Sequence, residues 1–458
     1  MTRRRRRSRR RVRVTELEQP RPRADLGATV AVTALASVLA GTALLVDPAA
    51  ASSFDAPKRL VSLVGIGVAS TALVAFSRRD ADRPWSWRAG SLEQRAALAL
   101  LLVALGGAGL SAFLSPRRVL ALEALRVLLL FALLLPLGAS RALEGRRSWV
   151  LAWTFFGACA VNAFVSTLQR SGTFDPFRGA TFGGRAGTGG FVGNDGFLAL
   201  LLALAAVAAV AVLPSTRRPM FCLVGVGGTL LFVWGVLVNQ SLTALMALFA
   251  GSIVVMAMLP RRRAVILTAL SLLILAGGLL VHPALSARAR EAFGDVRAGA
   301  WDRLLSYRLG PWATAVEMAR ARPLVGWGPG TFGAEFVSHR LAAELRLHRR
   351  FVNPFLAGSY TEAHSDYLQS LAEVGTPATV AVLGAVAFLL AGLMRVARHA
   401  DHDSSRREAI VLLAILLAGG AAALTWFPLQ RPVSAVPLLL AAGRAWRVCS
   451  ASATGEAA

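Results

Sequence analysis

The segment "YTEAHSDYLQSLAEVG" (360–375) gathers one histidine, three carboxylates and two tyrosines, and runs directly into "TPATVAVLGAVAFLLAGLMRV" (376–396). The second stretch has the length and apolarity of a helix that crosses a hydrocarbon core about 30 Å thick. A group of ionisable side chains therefore sits at the doorstep of a membrane span, and this junction is the unit from which the rest of the chain can be read.

Apolar runs of the same kind recur from end to end. In 458 residues, 55% are hydrophobic, only 16% are charged and mean hydropathy is +0.57. The pattern predicts an all-α polytopic integral membrane protein with about twelve transmembrane helices. They are expected at 26–46, 58–76, 96–114, 119–138, 148–168, 195–213, 219–238, 242–259, 264–281, 376–395, 409–427 and 432–448. Residues 1–25 read as a basic cytoplasmic arm without fixed structure, 26–281 as the first nine helices, 376–448 as the last three and 449–458 as a tail.

Orientation follows from arginine, because short loops rich in Lys and Arg stay on the cytoplasmic side. With the amino terminus inside, more than half of the 50 Lys and Arg fall on inner segments, including Arg3 to Arg7, the 77–95 loop and Arg261 to Arg263. Both termini are then cytoplasmic. Two segments project outward: 169–194, and the large loop 282–375 between the ninth and tenth helices. The formal net charge of +25 fits this asymmetry better than a nucleic-acid face, and no nucleic-acid partner is expected. The run "RRRRRSRRRVRV" (3–14) reads as an orientation signal touching anionic lipid. Lys58 is the one lysine, so arginine is the default cation here and a lone arginine carries little information.

Cys159, Cys222 and Cys449 have no ligand spacing, and His399 and His402 in "RHADHD" read as a solvated turn. Neither a metal nor a cofactor is expected. A transporter would place ionisable residues or paired broken helices near the midplane. The spans offer only Glu123 with Arg126, three apart and read as a pair, and Asn162, read as an interhelical hydrogen bond. The polar residues are concentrated in the two outer loops.

The first loop, "RSGTFDPFRGATFGGRAGTGGFVGND" (170–195), has seven glycines between 179 and 193, which let backbone amides approach an anion. Arg178 and Arg185 lie within it and Asn194 closes it; simple flexibility is the alternative reading. In the large loop, "SYRLGPWATAVEMARARPLVGWGPGTF" (306–332) has Pro311 suited to a first helical turn. Trp312, Val316 and Ala319 repeat at helical spacing, which predicts an amphipathic helix on the outer surface. Arg308 then stands at its amino end, where an anion is favoured. In 360–375, Thr361 is expected to cap a helix ended by Gly375 and Pro377, with His364 on its apolar face and kept neutral by the helix dipole. A purely structural histidine is the alternative.

Taken in order, the glycine-rich loop ending in "GND", the "SYRLGPW…PLVGWGPGTF" run and "EAHSDYLQSLAEVGTPA" resemble the O-antigen ligase and polymerase family over roughly 180–430. The resemblance implies a multi-pass protein of the bacterial inner membrane with a periplasmic active site. It implies transfer of a glycan from a polyprenyl-pyrophosphate carrier to an acceptor hydroxyl on a glycan or lipid, without metal or cofactor. By the same resemblance Arg185 and Arg308 hold the pyrophosphate, His364 is the general base, and Arg178, Asn194 and Asp366 are further substrate-binding candidates. Two positions depart from the family pattern: His364-Ser365 stands for His-Asn, and Ser241-Leu242 stands for Ser-Arg. Arg178 is the candidate substitute for the second. The alternatives are a transporter or flippase for glycolipids or solutes, or a peptidoglycan polymerase of the shape, elongation, division and sporulation type, in which Asp366 would carry the chemistry.

Overall fold

The computed structural model describes residues 26–50, 52–76, 91–176, 187–212, 219–258, 277, 283–352, 359–400 and 402–454. The basic arm 1–25, Arg178, Arg185 and the expected ninth span 264–281, save Gly277, lie outside the described residues. Among those described, all regular structure is helical: α1 (Leu26–Leu44), α2 (Ala56–Phe76), α3 (Leu92–Leu114), α4 (Arg118–Ala132), α5 (Leu134–Ala139), α6 (Arg146–Ser171), α7 (Asp195–Val212), α8 (Pro219–Val238), α9 (Leu242–Met258), α10 (Pro283–Arg297), α11 (Trp301–Leu304), α12 (Leu309–Ala321), α13 (Phe332–Leu347), α14 (Asp366–His399), α15 (Asp403–Thr425) and α16 (Pro432–Thr454). Seven helices are long and apolar enough to cross a membrane, counting α4 with α5 as one: α1, α2, α3, α4–α5, α6, α14 and α15. Helices α7, α8 and α9 are shorter apolar helices, and α16, at the expected twelfth span, carries Arg444 and Arg447 in its second half.

Leucine and alanine fill α7 on every side, and a helix apolar all round belongs either in lipid or in a core. Here it is the core. Leu198 to Val207 are almost wholly buried, enclosed by α6, α8, α9 and α15. The outer helices keep large exposed apolar residues such as Leu102, Phe113, Phe164 and Phe249, the surface a lipid environment calls for.

The single span expected at 119–138 is broken. Pro136 sits in the first turn of α5 and cannot donate to the carbonyl four residues back, so α4 ends and α5 begins about Leu133. Gly138 and Gly443 let α5 and α16 touch backbone to backbone: a Cβ on Gly138 would lie 2.5 Å from the Leu440 carbonyl oxygen. Glu123 and Arg126 are both exposed and form no ion pair with each other. Asn162 does bridge helices, its amide donating to the Ala43 carbonyl at 3.0 Å.

In the large loop, α12 is a helix with one face packed inward. Gly310, Pro311, Thr314, Ala315, Met318 and Ala319 are buried against α13 and the first turns of α14. The small residues at those positions allow close approach from two sides, so the stripe through Trp312 and Val316 is only half-buried.

The "PLVGWGPG" turn (323–330) is clasped to α14. Trp327 N donates to Ala372 O (3.1 Å), Gly328 N to Glu373 O (2.8 Å), and Thr376 N to Pro323 O (2.8 Å). The buried Glu373 carboxylate accepts from Gly330 N (2.9 Å) and Phe332 N (3.1 Å). Gly375, at φ 81° and ψ 171°, interrupts α14, and the apolar span restarts with Pro377 in its first turn. This backbone conformation is essentially restricted to glycine, and a Cβ there would lie 2.4 Å from Leu324 O. Gly375→Ala is therefore expected to destabilise the protein by roughly 2–4 kcal/mol. A thermal unfolding midpoint equal to wild type in detergent would show that the clasp does not hold the loop.

Polar side chains segregate to the two ends of the bundle. One end holds Glu408–Arg444 (2.6 Å), Glu144–Arg447 (2.7 Å) and Glu93–Arg395. The other holds the connections before α2, α7, α9, α14 and α16 together with the large loop. If this second end faces outward, a single cysteine at exposed Ser359 is expected to react with an impermeant maleimide in intact cells. One at exposed Ser404 is expected to react only after the inner membrane is opened. The reverse pattern inverts the orientation.

Candidate functional site

His364 does not lie in a helix. Ser365 is the cap of α14, its hydroxyl accepting from Leu368 N (3.4 Å), so the helix starts four residues later than a Thr361 cap would place it. His364 is left at φ 54°, the left-handed conformation that L-residues rarely adopt and that recurs at functional sites. Its carbonyl accepts from Trp312 Nε1 (3.3 Å), tying it to α12. Its ring packs among Tyr360, Trp426 and Phe427 at centroid distances of 5.5, 5.3 and 5.0 Å. Ser365, where the family has asparagine, supplies the cap and also donates to Ala423 O (3.3 Å), so the position has a defined structural task.

Arg308 caps α12 as expected. Its Nη1 donates to Thr243 Oγ1 (3.3 Å) in the first turn of α9, and its guanidinium carbon lies 5.0 Å from the Trp426 ring. Ser306 and Tyr307 before it also have positive φ (56° and 60°), and the Tyr360 hydroxyl donates to Tyr307 O (3.0 Å). A strained turn held by Tyr360 thus aims Arg308 at the ring cluster that surrounds His364. Leu242, at the second departure from the family pattern, adjoins Thr243 and brings no charge to this end of α9.

A second cation is present that the sequence reading missed. Arg431, between α15 and α16, pairs with Glu362 (2.7 Å) and Asp55 (3.2 Å). Its guanidinium lies 5.7 Å from the Phe197 and Phe427 rings. Burial, with the neighbouring Arg308 and Arg431, holds the His364 ring well below the usual histidine range, at about 3. The ring is therefore neutral at physiological pH, and its Nδ1 is buried without a hydrogen-bond partner among the described residues.

Asp366 borders this centre, its backbone N donating to Trp426 O (3.2 Å). Its carboxylate accepts from Leu429 N (2.9 Å) and Gln430 Nε2 (3.3 Å), which fixes the connection carrying Trp426 and Arg431. Asn194 is likewise occupied, capping α7 by accepting from Phe197 N (3.2 Å). The end of the glycine-rich loop is anchored beside the site. Lys58 donates to the carbonyls of Phe191 (2.7 Å) and Val192 (3.0 Å), and a Cβ on Gly196 would touch Trp426 at 2.9 Å. The loop that carries Arg178 and Arg185 therefore returns to the bundle next to His364, while those two side chains lie outside the described residues. Among the described residues, no cluster of three His, Cys, Asp or Glu is placed to hold a metal ion.

Neutral imidazole, two guanidinium groups and an aromatic floor form an arrangement suited to holding a phosphate while accepting a proton from a hydroxyl. Residues 227–383, about a third of the chain, match the O-antigen ligase family. A comparison with curated proteins gives no significant match.

Proposed function

We propose that this chain, with its O-antigen ligase match over 227–383, transfers a glycan from a polyprenyl-pyrophosphate carrier to an acceptor hydroxyl on the outer side of the bacterial inner membrane. The match supports a glycan-transferring ligase or polymerase kind of function. One observation carries it. His364 is neutral, has a buried ring nitrogen without a partner among the described residues, and lies within the field of Arg308 and Arg431.

In this mechanism Arg308, with Arg185 from the glycine-rich loop, neutralises the pyrophosphate. The acceptor oxygen attacks the anomeric carbon, and the bond from that carbon to the phosphate oxygen breaks. The electron pair leaves with the polyprenyl pyrophosphate, and the hydroxyl proton passes to His364. A phosphate between the guanidinium groups offsets their field on the imidazole, so donor binding raises the ring's proton affinity toward a useful value. Arginine supplies the counter-charge without a metal, and direct attack requires no covalent enzyme intermediate.

The peptidoglycan-polymerase reading would place the chemistry on Asp366, whose carboxylate already accepts from Leu429 N and Gln430 Nε2. The glycan profile of a deletion strain tests the function. Free lipid-linked polymer is expected to accumulate for a missing ligase, and single repeats for a missing polymerase. Accumulation of unflipped cytoplasmic intermediates would instead assign transport and sink the transferase reading.

A further inference from the structure

Three buried polar atoms at this end of the bundle have no hydrogen-bond partner among the described residues: His364 Nδ1, Trp426 Nε1 and Arg431 Nε. Unpartnered buried donors are rare and call for an explanation. Here the three belong to one contact cluster. The Trp426 ring lies 5.3 Å from His364 and 4.9 Å from Phe427, and Phe427 underlies Arg431. Indole Nε1 and guanidinium Nε can only donate, so what completes them is an acceptor oxygen. Two guanidinium groups, those of Arg308 and Arg431, lie against the same ring cluster, which favours an anionic acceptor.

The pairing of Arg431 is also informative. Its two terminal nitrogens are fixed by Asp55 and Glu362, from the α1–α2 connection and the segment before His364. The fork is thereby oriented, and Nε is the nitrogen left without a partner among the described residues. Arg308 sits on the same cluster through Trp426, so the two arginines approach the aromatic floor from different elements.

We propose that Trp426 Nε1–H and Arg431 Nε–H form a phosphate-oxygen subsite, which takes one phosphate of a pyrophosphate while Arg308 holds the other. The proposal rests on the donor reading above and adds two residues to it. It makes Trp426 a hydrogen-bond donor to the leaving group rather than only a packing residue.

The test uses the full chain in detergent, with inorganic pyrophosphate as the probe and donor and acceptor KM measured in parallel. Trp426→Phe keeps the ring stack and deletes only the N–H. It is expected to fold with the wild-type thermal midpoint and to bind pyrophosphate about 10- to 100-fold more weakly, the range for a lost hydrogen bond to a charged group. Arg431→Lys is expected to weaken it at least as much. Unchanged pyrophosphate affinity in Trp426→Phe, while Arg308→Ala abolishes binding, would overturn the subsite and leave the donor reading standing. A rise in acceptor KM alone would overturn it too, by giving these donors to the acceptor. A wild-type protein that binds no pyrophosphate would overturn both.

Discussion

His364→Ala is expected to slow glycan transfer by about 10²–10⁴-fold, the range for loss of a general base, while pyrophosphate affinity stays near wild type. The sharper variant is His364→Asn. Asparagine tolerates the left-handed backbone at φ 54° better than most residues and keeps a polar group inside the Tyr360, Trp426 and Phe427 cage. It cannot act as a base. A structural histidine predicts that His364→Asn restores folding and activity together, whereas the base role predicts restored folding without transfer. Thermal stability and turnover of both variants decide between these outcomes, and a well-folded His364→Ala that transfers at the wild-type rate removes His364 from the mechanism.

Arg308→Lys is expected to be nearly as damaging as Arg308→Ala, with both losing about 10²–10³-fold in transfer, the scale for removing one preorganised anion donor. Its guanidinium donates to Thr243 and stacks near Trp426 at the same time. An ammonium on a flexible stem can do one of these but not both, and it offers no planar two-pronged face to a pyrophosphate. Wild-type activity in a purified Arg308→Lys protein would reduce Arg308 to a surface charge.

Seven of the expected spans were legible as long apolar runs, although the break at Leu133 inside one of them was not, and Arg308 and His364 could be singled out because their motifs are local. Asp55, Trp426 and Arg431 were not. They lie in the short connections "DPAAASSFDAP" (47–57) and "TWFPLQRP" (425–432), where no periodicity exists, and they matter only through packing between segments far apart in the chain. The helix start before α14 was misplaced for a related reason: Thr361 and Ser365 are equally plausible caps by composition, and only the Ser365–Leu368 bond selects one. Asp366 and Asn194 lie beside Trp426 and Gly196 respectively. Their side chains are committed to the backbone around Leu429 and Phe197, which residue type alone does not reveal.

The cluster around His364 draws on the α1–α2 connection, Phe197, Thr243, Arg308 and, through Trp426, Phe427 and Arg431, on the connection between α15 and α16. Synthesis runs from the first of these to the last. While the chain emerges, His364 follows Arg308 and Tyr360 but precedes Trp426, Phe427 and Arg431, so the groups that close the ring cluster on its other side are made last. The cluster is complete only when the connection between the last two helices is in place, so removal of α15 and α16 would leave the His364 ring without Trp426, Phe427 and Arg431.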